Sequence, residues 1–273
     1  MAVRDFENID ASASNFILSA CIMADSFFCS IIQKDESEPL AIHHLKAHFS
    51  FLNIDFSDTN FVESVKNHPL WQHTFSKISI LSFTDKNMTL PLGVDSRIVG
   101  SVPMFDFQQV YVEKVINQDL ATYFGFSQGQ QLAIASVFEG KMYEVHHFPS
   151  VLSSFFIGQA DTFFHIHIEN KRCYIYGQKD HKMTFYNSYE MIDDTDLLYH
   201  LINTMQESGL PPLDTTVTVS GWVEQDSPLF KLLKSYVPNI NFMNLGDQAL
   251  LGTQIEGYKL HHYFAHFAHA LCV

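Results

Sequence analysis

One order of segments occurs twice in this chain, and it constrains the fold more than any other feature. From Asn15 the text reads NFILSACIMADSFFCSIIQKDESEPLAIHHLKAHF, three β-rich runs broken at Met23-Ala24-Asp25 and at the polar stretch Lys34 to Ser37. This is the pattern of a three-stranded meander. DTNFVESVKNHPLW follows, where Asp58 or Thr59 can cap a short helix that turns Phe61, Val62 and Val65 inward and stops before Pro69. KISILSF then reads as a strand. The second half repeats the sequence of events. DTFFHIHIE, KRCYIYGQ and KMTFYNSY are three strands with polar turns at Asn170-Lys171 and Lys179 to His181. DDTDLLYHLINTMQESG is a helix capped by Asp193 or Asp194, with Leu197, Leu198, Leu201, Ile202 and Met205 on one face and Gly209 as its stop. TTVTVSG is a buried strand, DSPLFKLLKSYV a helix capped by Asp226 or Ser227, and NINFM a short last strand. Residues 15–49 and 162–188 are therefore expected to form equivalent meanders, each opening a five-stranded mixed sheet in the order β-β-β-α-β-α-β.

The segment from about residue 84 to 158 separates the two copies. Within it MTLPLG reads as a strand, DLATYFGF as a short helix, QQLAIASVF as the last strand of the first copy and PSVLSSFF as a helix leading into the second. A length of 273 residues with 47% hydrophobic side chains is enough to bury such a core. A net charge of -14 without a Lys/Arg cluster argues against a nucleic-acid partner. Asp5, Glu7 and Asp10 stand where a signal peptide needs a basic flank, and no run reaches the length of a membrane span. A soluble, cytoplasmic protein is expected. Cys21, Cys29, Cys173 and Cys272 show no metal or redox spacing and are expected to be reduced thiols, although Cys21 and Cys29 could face one another across a hairpin.

The segments DTDLLYHLINTM, TVTVSG followed by SPLFKLLKSY, and the tail HHYFAHFAHALC resemble the Domain of Unknown Function 3822 family, which is bacterial, cytoplasmic and functionally uncharacterised. The duplicated order resembles the paired ribonuclease-H-like lobes of the actin-like ATPase superfold. The resemblance implies an α/β chain with a first lobe over residues 1–158, carrying an insertion, and a second over 159–273 that ends in a C-terminal helix. Actin-like enzymes bind nucleotide between their lobes with two glycine-containing hairpin turns, each carrying an aspartate, and a Gly-Gly stretch near the adenosine. Glycine lets backbone N–H groups approach phosphate, and the carboxylate holds magnesium through water. In FILSACIMADSF no glycine occurs and Asp25 stands alone; in FFHIHIENKRC the corresponding positions are His165 and His167; in VTVSGWVEQDSPLF the strand is followed by Gly221 and then Trp222. A degenerate nucleotide site is the expectation, with no cofactor.

Histidine offers the other candidate chemistry. His165 and His167 alternate with Ile166 and Ile168 and share a strand face, where a zinc site would need Asp161 or Glu169 as well. His262, His266 and His269, spaced four and three apart, share one face of a tail helix expected over residues 257–271. The plainer expectation is a helix docked through Phe264, Phe267 and Leu271, with its histidine face partly exposed and no metal. GxSxG, P-loop, GxGxxG and HExxH motifs do not occur. The reading that follows is a non-catalytic interaction or scaffold module, a monomer or small oligomer with a protein or peptide partner. Its alternatives are an actin-like ATPase or kinase with atypical phosphate loops and a histidine-ligated metalloprotein.

Overall fold

The computed structural model describes residues 16–35, 42–100, 109–115, 118–157, 161–245, 249–251 and 259–272. The chain divides into two compact units, the first made of residues 1–151, 247–257 and 266–273, the second of 152–246 and 258–265.

In the first unit β1 (Phe16–Ile22), β2 (Ser26–Asp35) and β3 (Ile42–Leu52) form the expected antiparallel meander. The helix α1 (Thr59–Lys66) follows, capped by the Asp58 carboxylate, which accepts from the Asn60 N–H. Then β4 (Lys77–Ser82) lies parallel to β1. An insertion follows: β5 (Asn87–Pro91), α2 (Ser96–Gly100), β6 (Tyr111–Lys114) and β7 (Leu120–Phe124) make a three-stranded antiparallel sheet of order β5-β7-β6. The chain continues through α3 (Gln128–Val137), β8 (Glu144–His147) parallel to β4, and α4 (Phe148–Phe155). Two expectations are corrected here. The LATYF segment is strand β7, not a short helix, and QQLAIASVF belongs to helix α3, not to the closing strand, which is β8. The SxxQ signature of a capping box was present in Ser127 and Gln130, and both of its hydrogen bonds form. A short apolar run such as LAIASV does not declare its period by itself.

The second unit contains β9 (Phe163–Glu169), β10 (Arg172–Lys179), β11 (Lys182–Glu190), α5 (Asp194–Glu207), β12 (Val217–Gly221), α6 (Pro228–Tyr236) and β13 (Ile240–Phe242). Its sheet order is β11-β10-β9-β12-β13; that of the first unit is β14-β3-β2-β1-β4-β8, with β14 (Ala249–Leu251) added beside β3. The five-strand pattern is the same in both, an antiparallel meander extended by two parallel strands. Each unit therefore repeats one topology, with two helices covering one face of the sheet. Phe16, Leu18, Ala20 and Ile22 meet α1 and α3 through Phe61, Val65, Ala133 and Ile134, while Phe164, Ile166 and Ile168 meet α5 and α6 through Leu197, Leu201, Phe230 and Leu233. Each Phe, Leu, Ile or Val side chain among them contributes about 1.5–3 kcal/mol when fully buried.

The opposite face of each central strand is buried too, but it carries polar residues. On β1 that face includes Ser19 and Cys21; on β9 it includes His165, His167 and Glu169. Cys29 pairs with Ala20 rather than Cys21, so the two cysteines point to opposite faces, and none of the four forms a disulfide. Among the described residues no helix is long and apolar enough to cross a membrane.

Candidate functional site

The tail begins with a 3₁₀ turn, Leu260–Tyr263, and continues as α7 (Phe264–Cys272). Phe264 and Phe267 are fully buried, as the spacing predicts, whereas Leu271 is half-buried. The expected exposure of its histidine face is corrected: His262, His266 and His269 are all buried. The reason is chemical complementarity. In the first unit the Ser19 hydroxyl lies 3.0 Å from His269 Nδ1 and 3.3 Å from His266 Nδ1, and the Ser79 hydroxyl lies 2.7 Å from His269 Nε2. Cys21 Sγ is 3.5 Å from His266 Nδ1, and the His48 ring meets the His266 ring edge-on at 5.3 Å. Burial holds His269 and His48 well below the usual histidine range and His266 down at about 3, so these rings are neutral donors and acceptors.

Both nitrogens of His269 are thus occupied by serines. His269→Leu keeps the volume but orphans the Ser79 hydroxyl, and is expected to cost about 1–3 kcal/mol in urea unfolding. Adding Ser79→Ala should recover most of that loss. A second substitution that deepens the loss instead would contradict this pairing.

In the second unit, His165 and His167 lie within β9 and share one of its faces, as their alternation with Ile166 and Ile168 predicts, and not in the hairpin turn that follows the strand. The turn itself is at Asn170, which takes the left-handed conformation with φ 52°. The two imidazoles face β12. His165 Nδ1 lies 2.8 Å from the Thr218 hydroxyl and His165 Nε2 3.0 Å from Ser220 Oγ, which is 2.8 Å from His167 Nδ1. Ser220 has one proton, so it donates to one ring and accepts from the other. His167 Nε2 is 3.6 Å from the buried Glu169 carboxyl, and the Trp222 indole N–H donates to that same carboxyl. Burial raises Glu169 well above the usual carboxylate range and lowers His165 well below that of histidine. Thr218 and Ser220 went unnoticed in the sequence; their period-two spacing in TVTVSG, matching His165 and His167, was the available signal.

Gly221 ends β12 at φ +86°, where a Cβ would stand 1.9 Å from the Ile168 carbonyl oxygen, and the Trp222 N–H donates to that oxygen at 2.8 Å. The Trp222 ring stacks on His262 at 4.8 Å and 19°. His262 in turn lies 3.1 Å from Glu224, which also pairs with Lys259, while His261 Nε2–H donates to the Val223 carbonyl at 3.0 Å. The first-unit turn is also tied into the protein. The Met23 carbonyl accepts from Gln130 Nε2 at 2.7 Å, the Asp25 carbonyl from the Ile54 N–H at 2.8 Å, and the Asp25 carboxylate from Ser26 Oγ at 2.9 Å. Asp161, the other acid considered beside the strand histidines, is exposed at the far end of β9 from Glu169. Among the described residues no three His, Cys, Asp or Glu side chains gather as a metal-ligand set.

Comparison with solved structures identifies the architecture. A Bacteroides thetaiotaomicron protein with an actin-like ATPase fold and unknown function superposes with a TM-score of 0.65 at 14% identity, covering 86% of this chain and 94% of that one. The PilM-PilN type IV pilus biogenesis complex gives a TM-score of 0.58 at 13% identity over 96% and 97% of the two chains. The ethanolamine utilization protein EutJ from Carboxydothermus hydrogenoformans gives 0.51 at 7% identity over 99% and 94%. The chain has the actin-like ATPase fold. No curated protein sequence matches it. The family model described as "Protein of unknown function (DUF3822)" matches residues 7–240, and the chain belongs to that family.

Proposed function

We propose that this protein is a non-catalytic actin-like module whose two ribonuclease-H-like lobes, residues 1–158 and 159–273, serve a cytoplasmic protein or peptide interaction, and that its nucleotide site has degenerated. The observation that carries the reading is the Gly221–Trp222 corner. An indole bonded to a buried carboxyl and stacked on His262 occupies the step after β12 where the superfold places a second glycine. Two further features support it. The Met23 carbonyl and the Asp25 carboxylate already have protein partners, and the β9 candidates are hydrogen-bonded into their own sheet. A triphosphate needs oriented N–H donors and cationic side chains, and the chain has a net charge of -14. A pilus-assembly complex among the structural neighbours is in keeping with an interaction role.

Calorimetry with magnesium-ATP tests the reading, with Trp222 fluorescence as a second signal. No saturable binding at millimolar nucleotide and no phosphate release above background are expected, and Trp222→Gly should not restore hydrolysis. Micromolar binding abolished by changing Asp25 or Gly221 would replace this reading with an actin-like ATPase or kinase.

A further inference from the structure

The second unit has a concavity of about 540 Å³ where α6 meets the outer edge of its sheet, lined in part by Phe230, Lys231, Lys234, Ile240, Asn241 and Phe242. No lining residue is acidic, in a chain with 30 acidic and 16 basic residues. Lys231 and Lys234, three apart on α6, are both exposed on this wall. Its floor is aromatic: Phe230 and Phe242 stack at 4.5 Å and 18°, and His261 packs on Phe242 at 4.3 Å.

Among the described residues β13 is the last strand of the sheet. The Val217 N–H bonds the Asn239 carbonyl and the Met243 N–H bonds the Val219 carbonyl, so residues 239, 241 and 243 face β12. By alternation, the Ile240 carbonyl and the Phe242 N–H and carbonyl point outward, while the Ile240 N–H donates to the Val237 carbonyl. The outward Ile240 carbonyl accepts from Lys234 Nζ at 3.0 Å, the kind of lysine guard that keeps an edge from pairing with unwanted strands.

We propose that this edge is the docking site of an extended acidic peptide, an inference that rests on the interaction reading above. A carboxylate would draw the Lys234 ammonium off the Ile240 carbonyl, free that oxygen for a peptide N–H, and leave the Phe242 N–H and carbonyl to continue the ladder. Lys231 would pair with a second carboxylate two positions along, on the same face of the added strand, and the apolar side chains between would turn to the other face. Strand addition supplies the affinity and the two lysines select the charge.

The test uses the full chain and a fluorescein-labelled heptapeptide of alternating glutamate and leucine, with lysine in place of glutamate as the control. Saturable anisotropy is expected for the acidic peptide alone, about ten-fold weaker in Lys231→Glu and weakened by salt. Lys231 is exposed, so this variant should fold, which circular dichroism verifies. The Phe242 amide should gain protection from hydrogen exchange on binding. Equal binding of both peptides, indifference to Lys231→Glu, or protection confined to another strand would overturn the proposal. So would saturable binding of inorganic phosphate with none of the peptide, which would make this a small-anion site. Peptide bound elsewhere refutes this site but not the interaction reading, whereas saturable magnesium-ATP binding refutes that reading whatever occurs at β13.

Discussion

On acidification the first unit is expected to unfold cooperatively between about pH 6 and pH 4.5, ahead of the second. Four of its histidines, His48, His147, His266 and His269, are buried and neutral, each pushed below the ordinary value of 6.5, to about 4 for His147 and about 3 for His266. A lowered histidine pKa means that the unfolded chain binds the proton more readily. The stability is therefore complete above pH 6.5 and is lost as pH falls toward the folded values. Each group contributes a slope of about 1.4 kcal/mol per pH unit in that window, so a fall of one pH unit removes up to about 5–6 kcal/mol through the four together, comparable to the whole stability of a domain. His146 adds no slope there. Burial lowers it, but Glu113 and Glu144 outweigh that and raise it, so its contribution is complete below 6.5 and lost only as pH rises through its folded value.

The second unit has a shallower balance. His165, His261 and His262 are lowered, the last to about 4, with the two tail histidines less fully buried. Glu169 opposes them, since a raised carboxyl favours the folded state as pH falls toward 4.5. The chain has two tryptophans, Trp71 in the first unit and Trp222 in the second. Emission from Trp222→Phe and Trp71→Phe variants thus reports each unit separately. A Trp71 transition below pH 4 would show that these histidines are not buried as neutral rings.

Gly221→Ala is expected to destabilise the second unit by about 3–5 kcal/mol, the largest effect of any single methyl added to the described glycines. Two costs add. The residue sits at φ +86°, and its Cβ would lie 1.9 Å from the Ile168 carbonyl oxygen and 2.8 Å from the Ile168 carbonyl carbon and amide nitrogen. All three are backbone atoms of the paired strand, so nothing can swing aside. Gly209 is the control, with φ +65° and open space where the methyl would go. There only the backbone term remains, about 1–2 kcal/mol. Urea unfolding read through Trp222 should separate the two variants, and a loss below about 1 kcal/mol for Gly221→Ala would mean that β12 and β9 do not approach as described.

The repeated order was legible because meanders and amphipathic helices are local patterns. The β-rich run FILSACI, the alternation in FFHIHIE, turn residues at Asp25 and Asn170, and caps at Asp58, Asp193 and Ser227 act within a few residues of one another. The insertion was less legible. LATYF and LAIASV are too short to declare a period, and a strand paired to β5 and β6 or a helix laid on the first sheet is selected by partners far along the chain.

The candidate site divides the same way. That Asp25 lacks a neighbouring glycine and that Trp222 follows Gly221 are facts of the text, sufficient to put a phosphate cradle in doubt. What the histidines do is not in the text, because His266 and His269 read alike as ligands, solvated side chains or packed rings. Burial keeps His266 and His269 neutral, and the partners that accept them there are Ser19 and Ser79, some 190 to 250 positions away in sequence, just as His165 and His167 meet Thr218 and Ser220. Spacing set which histidines share a face; only tertiary contact, which brings polar side chains to these rings and removes water, decided that the face is buried.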